Sequence, residues 1–161
     1  NVPLRKGVRR LVGEINAKGM SQYVVTTSSR IAVDSLLKRH FEENIDSFFQ
    51  GYVTYEDVNR HKPHPEAYLK AISLSGSSPS QILVIEDSIP GLISATKASL
   101  CCLITLSATN NILSADLHKA SGVLDSLGDV NNKCRVFRGK VCKTGYVNVD
   151  YLQSVLDLVG T

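Results

Sequence analysis

Apolar positions along this chain change period several times, and each change marks an element. From Gly7 to Lys18, Val8, Leu11, Val12 and Ile15 recur at three- and four-residue intervals, one stripe of an amphipathic helix, and Gly19 stands where a C-terminal cap belongs. The run from Gln22 to Thr27 is β-branched and of strand length. Ser28 and Ser29 then offer N-cap hydroxyls to a helix through Ala32, Leu36 and Leu37. Residues 41–51 read as a connection packed by Phe48 and Phe49, and Tyr52-Val53-Thr54 as a weak strand. Pro65 suits the first turn of a helix that runs to about Ser75 and ends at Gly76. Gln81 to Ile85 is a buried strand ended by Glu86-Asp87, and Pro90 opens a helix with Ala95 and Ala98 on its inner face. Cys101 to Leu106 is another buried strand, and Gly122-Val123-Leu124 a short one. From Asp125, Gly, Asn and Lys predict an irregular extension before a terminal helix over 150–159.

Strands alternating with helices imply βαβ units, and so a three-layer, Rossmann-like α/β core with a mainly parallel sheet. Such sheets bind ligands beyond the carboxyl ends of their strands. Two polar clusters fall there: Thr26 to Ser29, and Glu86 with Asp87.

Composition narrows the classes. The 161 residues are 43% hydrophobic, which suits one domain with a sizeable core. Eighteen basic against fifteen acidic residues give +3, too mild for a nucleic-acid partner. The clusters Arg5-Lys6 with Arg9-Arg10, and Lys133 to Lys143, read as solvated surface. The apolar stretch from Leu100 to Ile104 is far shorter than the ~20 residues that cross a bilayer, so no membrane partner is expected, and nothing resembles a signal peptide. The chain opens at Asn1 and its one Met is Met20, which reads as a processed or truncated piece. Cys101 and Cys102 sit in an apolar run as small hydrophobes, while Cys134 and Cys142 lack the close pairing of a zinc ribbon. Together they read as the cysteines of a reducing compartment.

Adjacent carboxylates at the end of an apolar strand have two readings. One is a solvated strand-to-helix turn in which Ser88 caps the next helix. The other is a hard-cation site, because Mg²⁺ takes carboxylate oxygens, keeps waters and borrows a ligand from a substrate phosphate. Lys62, held before Pro63, has a restricted backbone that would fix where its ammonium points. His61 and His64, three apart in a Pro-rich loop, make a poor chelate.

Taken in order, Val25-Thr26-Thr27-Ser28-Ser29-Arg30, then Lys62-Pro63-His64-Pro65-Glu66, then Val84-Ile85-Glu86-Asp87-Ser88-Ile89-Pro90-Gly91-Leu92 resemble the second, third and fourth motifs of the haloacid dehalogenase superfamily. Glu-Asp-Ser followed by Gly91, Ala95 and Ala98 is similar to its β-phosphoglucomutase-like branch, as is Pro3 to Val8, where such chains re-enter the core from a helical cap. The ending, with Gly145-Tyr146-Val147 and Asp150-Tyr151-Leu152, looks closest to the CbbY-like group of photosynthetic organisms.

The resemblance implies a Mg²⁺-dependent phosphatase of small phosphorylated sugars that forms an aspartyl-phosphate. Xylulose 1,5-bisphosphate is the first substrate expected, with β-phosphoglucomutase or phosphoglycolate phosphatase activity as alternatives. Thr27 would donate its hydroxyl to the phosphoryl group and Ser28 its backbone N–H, with a slip of one toward Thr26 left open. Lys62 would neutralise phosphate charge and hold the nucleophilic carboxylate. Asp87 would ligate Mg²⁺, with Glu86 as ligand or as orienter, and Gly91 would admit the helix close to the sheet. A cytoplasmic site is expected, or a plastid stroma in a photosynthetic eukaryote. The family's first motif, Asp-x-Asp, occurs nowhere in the 161 residues. We therefore expect the C-terminal part of such a core without its opening strand and cap, inactive alone, its sheet completed by an N-terminal segment or another chain. The rival is a non-catalytic scaffold or regulatory domain. Retention of Lys62, Glu86 and Asp87 together argues against it.

Overall fold

The computed structural model describes residues 3–41, 45–106 and 115–158. Helix α1 (Val8–Ala17) leads to β1 (Tyr23–Val25), α2 (Arg30–Phe41), α3 (Ile45–Phe48) and β2 (Gly51–Val53). Then follow α4 (Glu66–Ser75), β3 (Leu83–Glu86), α5 (Ile89–Lys97), β4 (Cys101–Thr105), β5 (Gly122–Leu124), β6 (Val136–Arg138) and α6 (Val149–Leu156).

The strands form two sheets. One is the parallel pair β1–β2, and the other has the order β3-β4-β5-β6, parallel except for β6. The mainly parallel α/β architecture is therefore the one the alternating pattern implies. The pleat of β4 shows why its run is apolar throughout. Cys102 and Ile104 pack with Tyr68, Leu92 and Ala95 from α4 and α5, whereas Cys101 and Leu103 pack with Leu11, Tyr151, Leu152 and Val155 from α1 and α6. Successive residues of a strand face opposite sides, so a strand covered on both must be apolar at every position. A third cluster, Val33, Leu37, Phe41 and Phe49, covers the β1–β2 sheet together with Val24 and Tyr52.

Helix α1 joins these cores. Leu11 and its neighbour Val12 are about 100° apart around the helix. They enter different clusters, Leu11 with the larger sheet and Val12 with the smaller one.

Three expectations need correction. Residues 45–48 of the expected connection are helical, and the aromatic packing is there: Phe41 lies 5.5 Å from Phe48 and 5.6 Å from Phe49, ring centre to ring centre. Strand β6 arises in a stretch of Lys, Arg, Asn and Gly whose three residues are too few to show alternation. The basic clusters are also less solvated than charge alone suggests. Arg10 donates to the carbonyls of Val147 (2.7 Å) and Gly128 (3.1 Å), Arg138 to those of Leu117 and Ala120, and Lys140 to that of Ser154.

Candidate active site

Three chain reversals meet at the carboxyl ends of β1 and β3 around a cleft of about 390 Å³. Its walls carry Thr26 and Thr27 after β1, Lys62, Glu86 at the end of β3 with Asp87 just beyond it, and Ser126 and Leu127 after β5. Thr27, Lys62 and Asp87, 60 positions apart at the extremes, thus share one cavity.

Lys62 lies at its centre. The peptide bond from Lys62 to Pro63 is cis. The Lys62 ammonium donates to the Val25 carbonyl at the end of β1 (2.9 Å), to the Tyr68 hydroxyl (3.3 Å) and to Glu86 Oε1. One cation therefore ties the end of one sheet to the end of the other. The Lys62 and Glu86 side chains are each only 8% exposed, so their pairing runs in a low-dielectric setting where neither charge could stand alone. The loop that delivers Lys62 is braced on both flanks. Glu66 accepts from the backbone N–H groups of Asn59 (2.7 Å) and Arg60 (3.1 Å), and these bonds, Asn59 first, hold its carboxyl below the usual range. Buried Ser94, on α5, donates to the His64 carbonyl (2.7 Å). His61 stacks on Tyr55 with ring centres 4.2 Å apart, and His64 Nδ1 accepts from the Glu66 N–H. Both histidines shape the loop.

Glu86 uses both oxygens. Oε1 accepts from Lys62 and from Tyr68 (2.5 Å), while Oε2 accepts from Ser88 Oγ (3.2 Å) and the Asp87 N–H (3.3 Å). Burial, and then the Glu86 carboxylate, push the Tyr68 hydroxyl far above its ordinary pKa, so it stays a donor. Gly91 makes room for this carboxylate. A Cβ there would stand 2.1 Å from Glu86 Oε2. The close approach that Gly91 permits is thus of a carboxylate to the first turn of α5, whose N-terminal dipole favours negative charge. Ser88 caps the same helix by accepting from the Gly91 N–H (3.1 Å).

Asp87 differs from its neighbour. Its side chain is 58% exposed and lines the cleft, with Arg5 Nη1 3.8 Å from Oδ2. Of the two carboxylates, Asp87 is the one with a face open to the cavity, and Glu86 is committed to Lys62, Tyr68 and Ser88. Among the described residues no group of three or more His, Cys, Asp or Glu could hold a metal. Asp87 fits Mg²⁺ as a single hard oxygen ligand, and further ligands must come from outside this set.

On the β1 side, Thr27 is exposed and lines the cleft, and Thr26 Oγ1 accepts from the Ser28 N–H (3.1 Å). Ser28 is not among the cleft-lining residues, and its amide serves the turn.

The expectation that Arg5 is solvated surface is overturned by its hydrogen bonds. Arg5 donates to Thr105 Oγ1 (2.7 Å) and to the carbonyls of Thr105 (3.1 Å) and Leu106 (2.5 Å), gathering the end of β4 beside Asp87. Tyr68 was missed as well. Its only sequence signal is its place in the first turn of the helix that follows Lys62.

Comparison with known proteins identifies the family. The sequence model of the haloacid dehalogenase-like hydrolases matches residues 1–104. Protein CbbY of Rhodobacter capsulatus is 34% identical over 104 residues, which is 65% of this chain and 46% of that protein. A CBBY-like protein of Arabidopsis thaliana is 35% identical over 132 residues, 80% of this chain and 39% of that protein. Among solved structures, CbbY of Rhodobacter sphaeroides in complex with xylulose-(1,5)bisphosphate superposes with a TM-score of 0.70 at 26% identity, covering 79% of this chain and 56% of that one. The chain thus spans about half the length of the relatives it matches, or less.

Proposed function

Because the chain belongs to the haloacid dehalogenase-like hydrolases, we propose that it supplies the phosphate-neutralising and metal-orienting part of a Mg²⁺-dependent phosphatase acting on small phosphorylated sugars. The observation that carries this reading is the placement of Lys62. Its ammonium ties β1 to β3 in a cleft that also holds Thr27 and Asp87. Such a site has little covalent chemistry of its own to perform. It works by positioning and by stabilising charge on the transferring phosphoryl group.

In this reading the positive charge of Lys62 offsets the charge of the phosphoryl group, and Val25, Glu86 and Tyr68 fix the ammonium in place. Thr27 donates its hydroxyl to the same group. Asp87 would hold Mg²⁺, which would neutralise phosphate charge, and Arg5 sets the strand end beside it. Thr26 shapes the turn that presents Thr27. The nucleophile is an aspartate from an Asp-x-Asp strand that these residues do not include. That strand would lie between β1 and β3, which belong to separate sheets. Phosphorus passes to its carboxylate, the P–O bond to the sugar breaks, and water then cleaves the acyl phosphate.

Xylulose 1,5-bisphosphate is the substrate we infer first, from the CbbY relatives and the bisphosphate bound to one of them. The test is release of inorganic phosphate by the full-length protein from a panel of sugar mono- and bisphosphates, with and without millimolar Mg²⁺. We expect Mg²⁺-dependent turnover, highest on a sugar bisphosphate. Turnover undiminished by a chelator would remove the metal from the account.

A further inference from the structure

Between β5 and α6 lies chemistry that phosphate transfer does not use. Cys134 and Cys142 bracket β6, with seven residues between them. Backbone bonds bring the two arms together. The Cys134 N–H donates to the Gly145 carbonyl (2.6 Å), and the Gly145 N–H donates to the Cys142 carbonyl (3.0 Å), closing a turn. Gly145 takes a positive φ of 77° there, a conformation that costs glycine little. The Cys142 thiol donates to the carbonyl of Tyr146, the residue after Gly145 (3.1 Å). Both sulfurs pack against the cluster of Leu11, Leu127, Val147 and Tyr151, and both line a surface depression with Phe137 and Val141. Each is partly exposed, whereas Cys101 and Cys102 are buried. Two free thiols on backbone arms tied together by hydrogen bonds, lining one depression within reach of solvent, are placed for thiol–disulfide chemistry.

We propose that Cys134 and Cys142 form a reversible intramolecular disulfide by exchange with a small disulfide of the glutathione class. Cys142 loses its proton to solvent and its sulfur attacks one sulfur of glutathione disulfide. That S–S bond breaks, and the departing thiolate takes up a proton. Cys134 then gives up its proton and its sulfur attacks the Cys142 sulfur of the mixed disulfide, expelling the second glutathione. Two protein thiols are oxidised by two electrons in all, and one glutathione disulfide is reduced to two glutathiones. Burial, and then Cys142, push the Cys134 thiol up to about 11, which makes it the poorer first nucleophile and gives the opening step to Cys142.

The crosslink would encircle β6 and fix Cys134 beside Arg135. The Arg135 N–H donates to Asp125 Oδ1 (2.9 Å), and the Asp125 N–H donates to the Arg135 carbonyl (3.1 Å). Ser126 and Leu127, the next residues, form a wall of the active-site cleft. Oxidation therefore stiffens the segment that continues into that wall.

The sequence makes the test simple, because trypsin cuts after Lys133, Arg135, Lys140 and Lys143 and so frees Cys134 and Cys142 on separate peptides. The folded full-length protein is incubated with excess glutathione disulfide at about pH 8, alkylated, digested and mapped by mass spectrometry. We expect the peptide pair linked through Cys134 and Cys142 to rise at least about tenfold over the reduced control and to vanish with dithiothreitol. Cys101 and Cys102 should react with alkylating agent only after unfolding. In Cys134→Ser, Cys142 should retain a stable glutathione adduct, since nothing resolves it. Two free thiols after prolonged exposure, or separate glutathiones on both cysteines without a linked pair, would overturn the proposal.

Discussion

Lys62→Met in the full-length protein should lower phosphatase turnover by at least about a hundredfold, the scale of losing one preorganised charge-stabilising donor. It should also destabilise the fold, by about 3 kcal/mol. Breaking a buried ion pair costs ~3–5 kcal/mol because the remaining charge is stranded. The low end applies because Tyr68 and Ser88 still donate to Glu86. These two effects have separate causes, and a second substitution separates them. Adding Glu86→Gln removes the stranded charge, so Lys62→Met/Glu86→Gln should recover most of the denaturation midpoint while its turnover stays low. Recovery of turnover together with stability would reduce Lys62 to a structural role.

A larger effect is expected from the 161 residues purified alone. They hold Lys62, Thr27, Glu86 and Asp87 but no Asp-x-Asp, so covalent catalysis has nowhere to begin, and turnover of sugar phosphates should not rise above background. Two strand spacings amount to ~9.6 Å, which is the gap that one inserted strand would fill between β1 and β3. Exposed strand edges favour such pairing. Co-refolding with a fragment that carries an Asp-x-Asp strand and a cap should therefore restore Mg²⁺-dependent turnover. Hydrolysis by the isolated chain in proportion to its own concentration, after contaminating phosphatases are removed, would contradict this account of the nucleophile.

Where an element announces itself within a short window, its reading was direct. The helix after Asp87 carries Ser88 and Pro90 at its start and Ala95 and Ala98 inside, and β4 is an unbroken apolar run because both of its faces are covered. The motif residues were legible by type and spacing. Their physical division of labour was not. That Glu86 is consumed by Lys62 and Tyr68 while Asp87 lines the cleft turns on where β3 stops, since Glu86 is its last residue and Asp87 already belongs to the bend that leads into α5. Arg5 and Arg10 read as surface because local charge density says nothing about carbonyls a hundred residues away, such as those of Thr105 and Gly128. Strand β6 exists because β5 offers an edge at Val123 and Leu124, a tertiary cause that three residues of sequence do not display.

The central claim is that Asp87 binds the metal that the phosphate needs, with Glu86 only orienting the site. Calorimetric titration of Mn²⁺, as a stand-in for Mg²⁺, into the full-length protein tests it directly. Wild type should bind one ion, Asp87→Asn should bind it at least about tenfold more weakly, the scale of losing a carboxylate from a hard-cation site, and Thr27→Val should bind it as wild type does. Unchanged affinity in Asp87→Asn would place the metal elsewhere and contradict the account.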